Sequence, residues 1–199
     1  MDRRLPRRII QLVVSLWMFG VSIGLILRAG LGLPPWDVLH QGLAHRFGLS
    51  IGTVVIAVGV LLLLLWVPLR EKPGFGTLAN TVLIGLSLNW TLSWMPAAHG
   101  LAAQIAMLVG GVVLNGIMIA SYIGAGMGPG PRDGLMTGLT RVTGRSTRLV
   151  RTGIEVAALL AGWALGGTLG VGTMVYALGV GPVAHHFMPL LDARPRPAR

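Results

Sequence analysis

Residues 29–43 read AGLGLPPWDVLHQGL, and residues 125–139 read AGMGPGPRDGLMTGL. The two stretches lie 96 residues apart and agree at eight of fifteen positions: Ala29/Ala125, Gly30/Gly126, Gly32/Gly128, Pro35/Pro131, Asp37/Asp133, Leu39/Leu135, Gly42/Gly138 and Leu43/Leu139. Each is a Gly/Pro loop that runs into an Asp and then into a short helical pattern. At the same offset, with no gap, Gly20 matches Gly116, Gly48 and Ser50 match Gly144 and Ser146, and Gly74, Gly76, Thr77 and Gly85 match Gly170, Gly172, Thr173 and Gly181. One register held over roughly 85 residues marks an internal duplication. The repeats run from about 8 to 94 and from about 104 to 190, inside a single domain that spans residues 1–199.

The material between the loops is apolar. Hydrophobic residues make up 53% of the chain and charged residues 11%, against about 25% charged in a soluble domain. Thirty glycines suit helices that pack closely in lipid. The net charge of +10 does not point to nucleic acid, because the basic residues fall between apolar spans and not along one face. The absence of cysteine excludes disulfides and thiolate metal sites.

Six stretches are long and apolar enough to cross about 30 Å of hydrocarbon. They lie near 9–28, 51–69, 77–95, 104–123, 152–168 and 172–190. The first begins a span and not a cleaved signal, since its apolar run ends at Arg28 without a small-residue cleavage pattern. Residues 35–47 and 131–151 are helical but charged, and they fit re-entrant or interfacial half-helices. The tail at 192–199 is read as basic and disordered.

Parity decides how the repeats face. Three spans per repeat turn the second upside down, whereas four leave the two parallel. With six spans and both termini in the cytoplasm, fourteen of the sixteen basic residues lie inside and only Arg28 and Arg46 outside. With eight spans the split is twelve to four. The positive-inside rule therefore favours an all-α polytopic protein with six transmembrane helices, two half-helices and an inverted repeat. Eight crossing helices in a parallel repeat is the alternative.

The run from Arg28 through Gly48, followed by Ser50-Ile51-Gly52-Thr53 and a Leu/Val-rich span, resembles the YczE/YyaS/YitT family of bacterial integral membrane proteins. The likeness covers nearly the whole chain between its tails, most clearly in the first half. It implies a multi-pass protein of the bacterial inner membrane, and it carries no reaction, substrate or ligand roles.

The site candidates follow from the duplication. Asp37 and Asp133 are two of six acidic residues and occupy equivalent positions. Each follows a proline in a helical first turn, where a carboxylate complements the amide donors and the dipole. Together, at a repeat interface, they could also bind a cation or exchange a proton. His40 stands three residues after Asp37, on the same helical face, with Met136 as its counterpart. Asn80 and Tyr176 are repeat equivalents, each three residues after a matched threonine, and form a second tier of cavity candidates. Gly30, Gly32, Gly126 and Gly128 would let the loops bend tightly and approach other backbone closely. Arg151 and Glu155 read as an i,i+4 ion pair at a span edge, and the adjacent His185 and His186 diverge too far to grip one metal. Gly20/Gly24 and Gly162/Gly166 read as helix contacts, and Trp17, Trp36, Trp90 and Trp94 as a set that includes interfacial anchors.

No nucleophile–base–acid set and no metal-ligand cluster is present, so the reading is of a non-enzyme without cofactor. The expected partners are the lipid bilayer and a small solute, with coupling to a cation or proton. A small secondary transporter or exporter, with its site at the repeat interface, is the first reading. The alternative is a non-transporting scaffold or assembly partner that uses its basic cytoplasmic face. In that reading Arg141, Arg145, Arg148 and Arg151 form a helical stripe for anionic lipid or an acidic partner.

Overall fold

The computed structural model describes residues 5–194 and is all-helical over that range. It contains eight helices: α1 (Leu5–Ala29), α2 (Pro35–Phe47), α3 (Ile51–Leu69), α4 (Phe75–Trp94), α5 (Leu101–Gly124), α6 (Pro131–Thr143), α7 (Thr147–Ala164) and α8 (Val171–Leu191). Each of the last four begins 96 residues after its counterpart among the first four. Of these, α1, α3, α5 and α8 are long and apolar enough to cross a membrane. Their outward residues, such as Leu61, Leu64 and Leu65 on α3 and Met174 and Leu178 on α8, are exposed, as suits a lipid-facing surface.

The matched Gly-x-Ser triplets separate the short helices from the spans that follow them. Gly48 and Gly144 close α2 and α6 in the left-handed conformation, each with φ 65°. Two residues on, the Ser50 and Ser146 hydroxyls accept hydrogen bonds from Thr53 N–H and Leu149 N–H and cap α3 and α7. This corrects the reading of 131–151 as one helix and of the next span as starting near 152. Gly144 ends the short helix and Ser146 starts the next within one turn. The proposed stripe is broken accordingly: Arg141 lies on α6, Arg145 in the turn, and Arg148 and Arg151 on α7. Gly166 lies beyond α7, with φ 90° and no neighbour for a Cβ to meet, so it serves a turn and not a helix contact.

The helices form two layers. One holds α1, α4, α5 and α8, and the other holds α2, α3, α6 and α7. In the first, α1 and α5 run antiparallel. Arg8 Nε donates to Ala125 O at 2.8 Å, Gln11 Nε2 donates to Ser121 O at 2.9 Å, and Ile26 packs on Leu108 and Val112. Equivalent glycines admit α4 and α8 to this pair: a Cβ on Gly20 would collide with Ile84 and Ser87, and one on Gly116 with Val183. In the second layer α2 packs on α7 and α6 on α3, so each short helix lies against the other repeat. The layers join closely along α3 and α4, where Gly52 lies against Gly85 and Asn89, and Gly59 against Thr81. The equivalent helices α7 and α8 stand apart, because Arg148 and Glu155 replace Gly52 and Gly59.

The described ends of the chain meet. Arg8 donates to Gly126 O at 2.9 Å, and Ala193 N donates to Gly124 O at 3.0 Å. Ala193 is buried, so the start of the tail is packed, while 195–199 lie outside the described residues. Arg3, Arg4, Arg196 and Arg199, counted above for topology, also lie outside them.

Candidate functional site

The two Gly/Pro loops position the site. Gly30 and Gly126 have φ of 70° and 62°, and Gly32 and Gly128 have φ of 116° and 122°. This is backbone that L side chains rarely adopt. The positive φ turns each loop onto the start of a helix in the other repeat. Gly172 N donates to Leu31 O at 2.7 Å, and Gly76 N donates to Met127 O at 2.8 Å. Thr77 Oγ1 adds a hydrogen bond to Pro129 O at 2.7 Å. A Cβ at Gly32 would strike Gly170, and one at Gly128 would strike Thr77 and Gly74. The matched Gly-x-Gly-Thr segments are therefore the seats of the opposite loops.

Held this way, the first turns of α2 and α6 meet at a cavity of about 260 Å³. Its wall repeats at the 96-residue offset. Pro35 and Pro131, Trp36 and Arg132, His40 and Met136, Val55 and Arg151, Gly59 and Glu155, and Asn80 and Tyr176 all line it. Trp36 and Arg132 touch: the guanidinium carbon lies 4.9 Å from the indole centroid. Residues at equivalent positions of the two sequence copies thus meet at the cavity.

The two aspartates differ in setting. Asp133 lines the cavity. Its Oδ2 accepts from Tyr122 OH at 2.7 Å and from Gly130 N at 3.2 Å, which caps α6. No cation lies within 4 Å of it among the described residues. Asp37, 2% exposed, lies behind the wall. It binds His40 Nδ1 at 3.0 Å and stands 4.0 Å from Arg132. His40 is itself buried and lines the cavity. Tyr176 OH donates to Asn115 Oδ1 at 2.9 Å, and Asn115 Nδ2 donates to Ser22 Oγ at 2.8 Å, which fixes the phenol on the wall. Asn80 lines the cavity beside Gly130, at the start of α6.

Several wall residues were not singled out for the site by the sequence reading. Arg132 and Trp36 adjoin the aspartates at one equivalent position, and that adjacency was the available signal. Trp36 is buried at the cavity and is not an interfacial anchor. Arg151 and Glu155 do form an ion pair, at 2.9 Å, but at the mouth of the cavity. Two of the five arginines assigned to the 131–151 cytoplasmic segment, Arg132 and Arg151, thus belong to the cavity. The signal for Arg151 and Glu155 was their alignment with Val55 and Gly59. His45, His185 and His186 are exposed and outside the cavity.

The profile of DUF6198, a family of unknown function, matches residues 6–189. The chain is 37% identical over 172 residues to the uncharacterized membrane protein YczE of Bacillus subtilis, covering 86% of this chain and 80% of that one. It is 34% identical over 184 residues to an uncharacterized protein of Haemophilus influenzae, covering 92% and 84% of the two chains. It is 26% identical over 183 residues to the uncharacterized protein YyaS of Bacillus subtilis, covering 90% and 91%. No solved structure matches.

Proposed function

We propose, for a chain that belongs to the family of unknown function DUF6198, that it is a small secondary transporter or exporter of the bacterial inner membrane. It is built as six crossing helices and two half-helices in an inverted repeat. The inversion is supported by α1 and α5: they begin at equivalent positions and run antiparallel, so the axis relating them lies across the helices, in the membrane plane. The count of six is supported by length. Thirteen residues of α2 or α6 cover about 20 Å of rise, while α4 and α7, at 20 and 18 residues, approach the length of a span. Arg8, Arg141, Lys72 and Arg194 gather at the end where the described termini meet, which the positive-inside rule places in the cytoplasm.

The observation that carries the reading is the cavity where equivalent positions meet, walled by half-helix tips from both repeats. Carriers with inverted repeats bind substrate at such a place and expose it alternately to the two sides. The half-helices keep their irregular backbone covered by protein, and the ionisable groups they present have a use there that offsets their cost.

The test needs no knowledge of the substrate, because the chain has no cysteine. Met136→Cys and Val58→Cys place single thiols on the wall. Lys72→Cys and His99→Cys mark the two ends. An impermeant maleimide applied separately to each face should label the end markers from one side each, and the wall thiols from both. Wall thiols that react from one face only would sink the carrier and leave the scaffold reading.

A further inference from the structure

The charges on the cavity wall can be sorted by what already satisfies them. Arg151 and Glu155 neutralise each other at 2.9 Å. Asp37, behind the wall, is held by His40 at 3.0 Å and is the counter-charge of Arg132 at 4.0 Å. Two groups keep hydrogen-bonding atoms that nothing among the described residues uses, and they are neighbours in sequence. Arg132 makes no hydrogen bond among the described residues: it lies over Trp36, and its 4.0 Å approach to Asp37 is beyond hydrogen-bonding reach. Asp133 takes both of its hydrogen bonds on Oδ2, leaving Oδ1 without a donor, and no cation is within 4 Å. The cavity therefore offers a fork of unused donors and, separately, an unused anionic acceptor.

A wholly anionic solute would leave Asp133 repelling it, and a wholly cationic one would meet Arg132. A molecule with both charges satisfies both groups, and a planar carboxylate matches the guanidinium fork. Val55, Ile84 and Phe19 give the cavity an aliphatic and aromatic stretch of wall, which suits an apolar side chain, while Asn80, Thr81 and His40 add neutral polar groups. The volume of about 260 Å³ is that of about nine waters at roughly 30 Å³ each, and so suits a single small molecule.

We infer that the cavity binds a small zwitterion with an apolar side chain, the class of the apolar α-amino acids, with carboxylate on Arg132 and ammonium on Asp133. This rests on the carrier reading of the same cavity and names its substrate class.

The experiment is equilibrium binding of radiolabelled L-alanine, L-leucine and L-phenylalanine to the full-length protein in lipid nanodiscs. The amide and the N-acetyl derivative of each serve as competitors. At least one parent amino acid should bind, with both of its derivatives competing at least tenfold more weakly. Arg132→Gln should weaken the parent at least tenfold, and the amide, which keeps the ammonium for Asp133, should then compete better than the N-acetyl form and about as well as the parent. Asp133→Asn should weaken the parent to a similar degree. Because Asp133 also caps α6, Tyr122→Phe serves beside it: this change removes a hydrogen bond from Asp133 but keeps the charge, and selectivity for the zwitterion should survive. An amide that competes as well as its parent would make this an organic-cation site, and an equally good N-acetyl form an anion site. Either result overturns the inference, as does failure of all three parents to bind. None of these outcomes bears on two-sided thiol access, which judges the carrier reading separately.

Discussion

Gly134 sits where a Cβ would fall within the Trp66 indole. Its equivalent contact in the other half reverses the sizes: position 66 becomes Gly162, and position 134 becomes Val38, with Gly162 against Val38 and Leu39. Large and small members trade places, so neither half of the pair is legible from one repeat alone. Trp66 Nε1 also donates to Pro131 O at 3.0 Å, which anchors the tip of α6 and hence Asp133. Gly134→Ala should cost about 1–3 kcal/mol by overpacking. Combined with Trp66→Leu, the loss should be smaller than the sum of the two single losses, by roughly 0.5–3 kcal/mol, as for residues in contact. Thermal unfolding of the four proteins in detergent measures it, and strict additivity would mean the two sites relax independently. The aspartates separate in the same way. Asp133→Asn keeps an acceptor for Tyr122 OH and Gly130 N, so it should fold with a near-normal Tm and lose flux. Asp37→Asn leaves Arg132 without its counter-charge and breaks a buried pair, so it should lose flux and also lower Tm. A fall in Tm for Asp133→Asn equal to that for Asp37→Asn would contradict the different settings of the two carboxylates.

The loops show how much a helix boundary can carry. The duplicated Gly-x-Gly was legible as a tight bend, and each second-half helix starts 96 residues after its counterpart, although the start of α7 was read near 152 because the arginines of its first turns hid it. The four long apolar helices α1, α3, α5 and α8 followed from apolar length, and the short helix 35–47 from its Pro-x-Asp start. What could not be read was which element each loop would seat on, because that is a contact between repeats, and matched sequence gives equivalence without proximity. Arg132 was misplaced for the same reason: by charge alone an arginine belongs at the cytoplasmic edge, and only the meeting of α2 with α6 brings it over Trp36. Two kinds of glycine can be told apart here. Gly32 and Gly128 combine φ of 116° and 122° with close backbone, whereas Gly48 has φ 65° and no neighbour for a Cβ to meet. Gly48→Ala should cost only the left-handed penalty, about 1–2 kcal/mol. Gly32→Ala and Gly128→Ala should each cost clearly more, and by similar amounts. Tm values that placed all three variants together would show that the seats give way easily.

At the scale of the whole molecule, the packing argues against the two repeats as the moving bodies of a carrier. Each short helix packs on the opposite repeat, and α1 packs on α5, so separating repeat from repeat would tear both layers. The easier division runs between the layers, α1/α4/α5/α8 against α2/α3/α6/α7, with the cavity lying between them. One seam is closed by Gly52, Gly59 and Gly85, and by Gly52 N donating to Asn89 Oδ1 at 2.9 Å. The other seam, between α7 and α8, is held apart by side chains where the first has none. Packed interfaces resist continuous deformation, so a carrier of this build is expected to hinge at the glycine-lined seam and to open at the α7–α8 seam. A tether at each seam distinguishes them. Ile56→Cys with Asn89→Cys bridges α3 and α4 away from the cavity, and the equivalent pair, Thr152→Cys with His185→Cys, bridges α7 and α8. With a short bifunctional maleimide, the α3–α4 bridge should leave flux largely intact. The α7–α8 bridge should abolish flux and restore it when a cleavable linker is cut. Equal inhibition by both bridges would mean that the layers do not swing about α3 and α4, and that access to the cavity changes by movement of the half-helices within one layer.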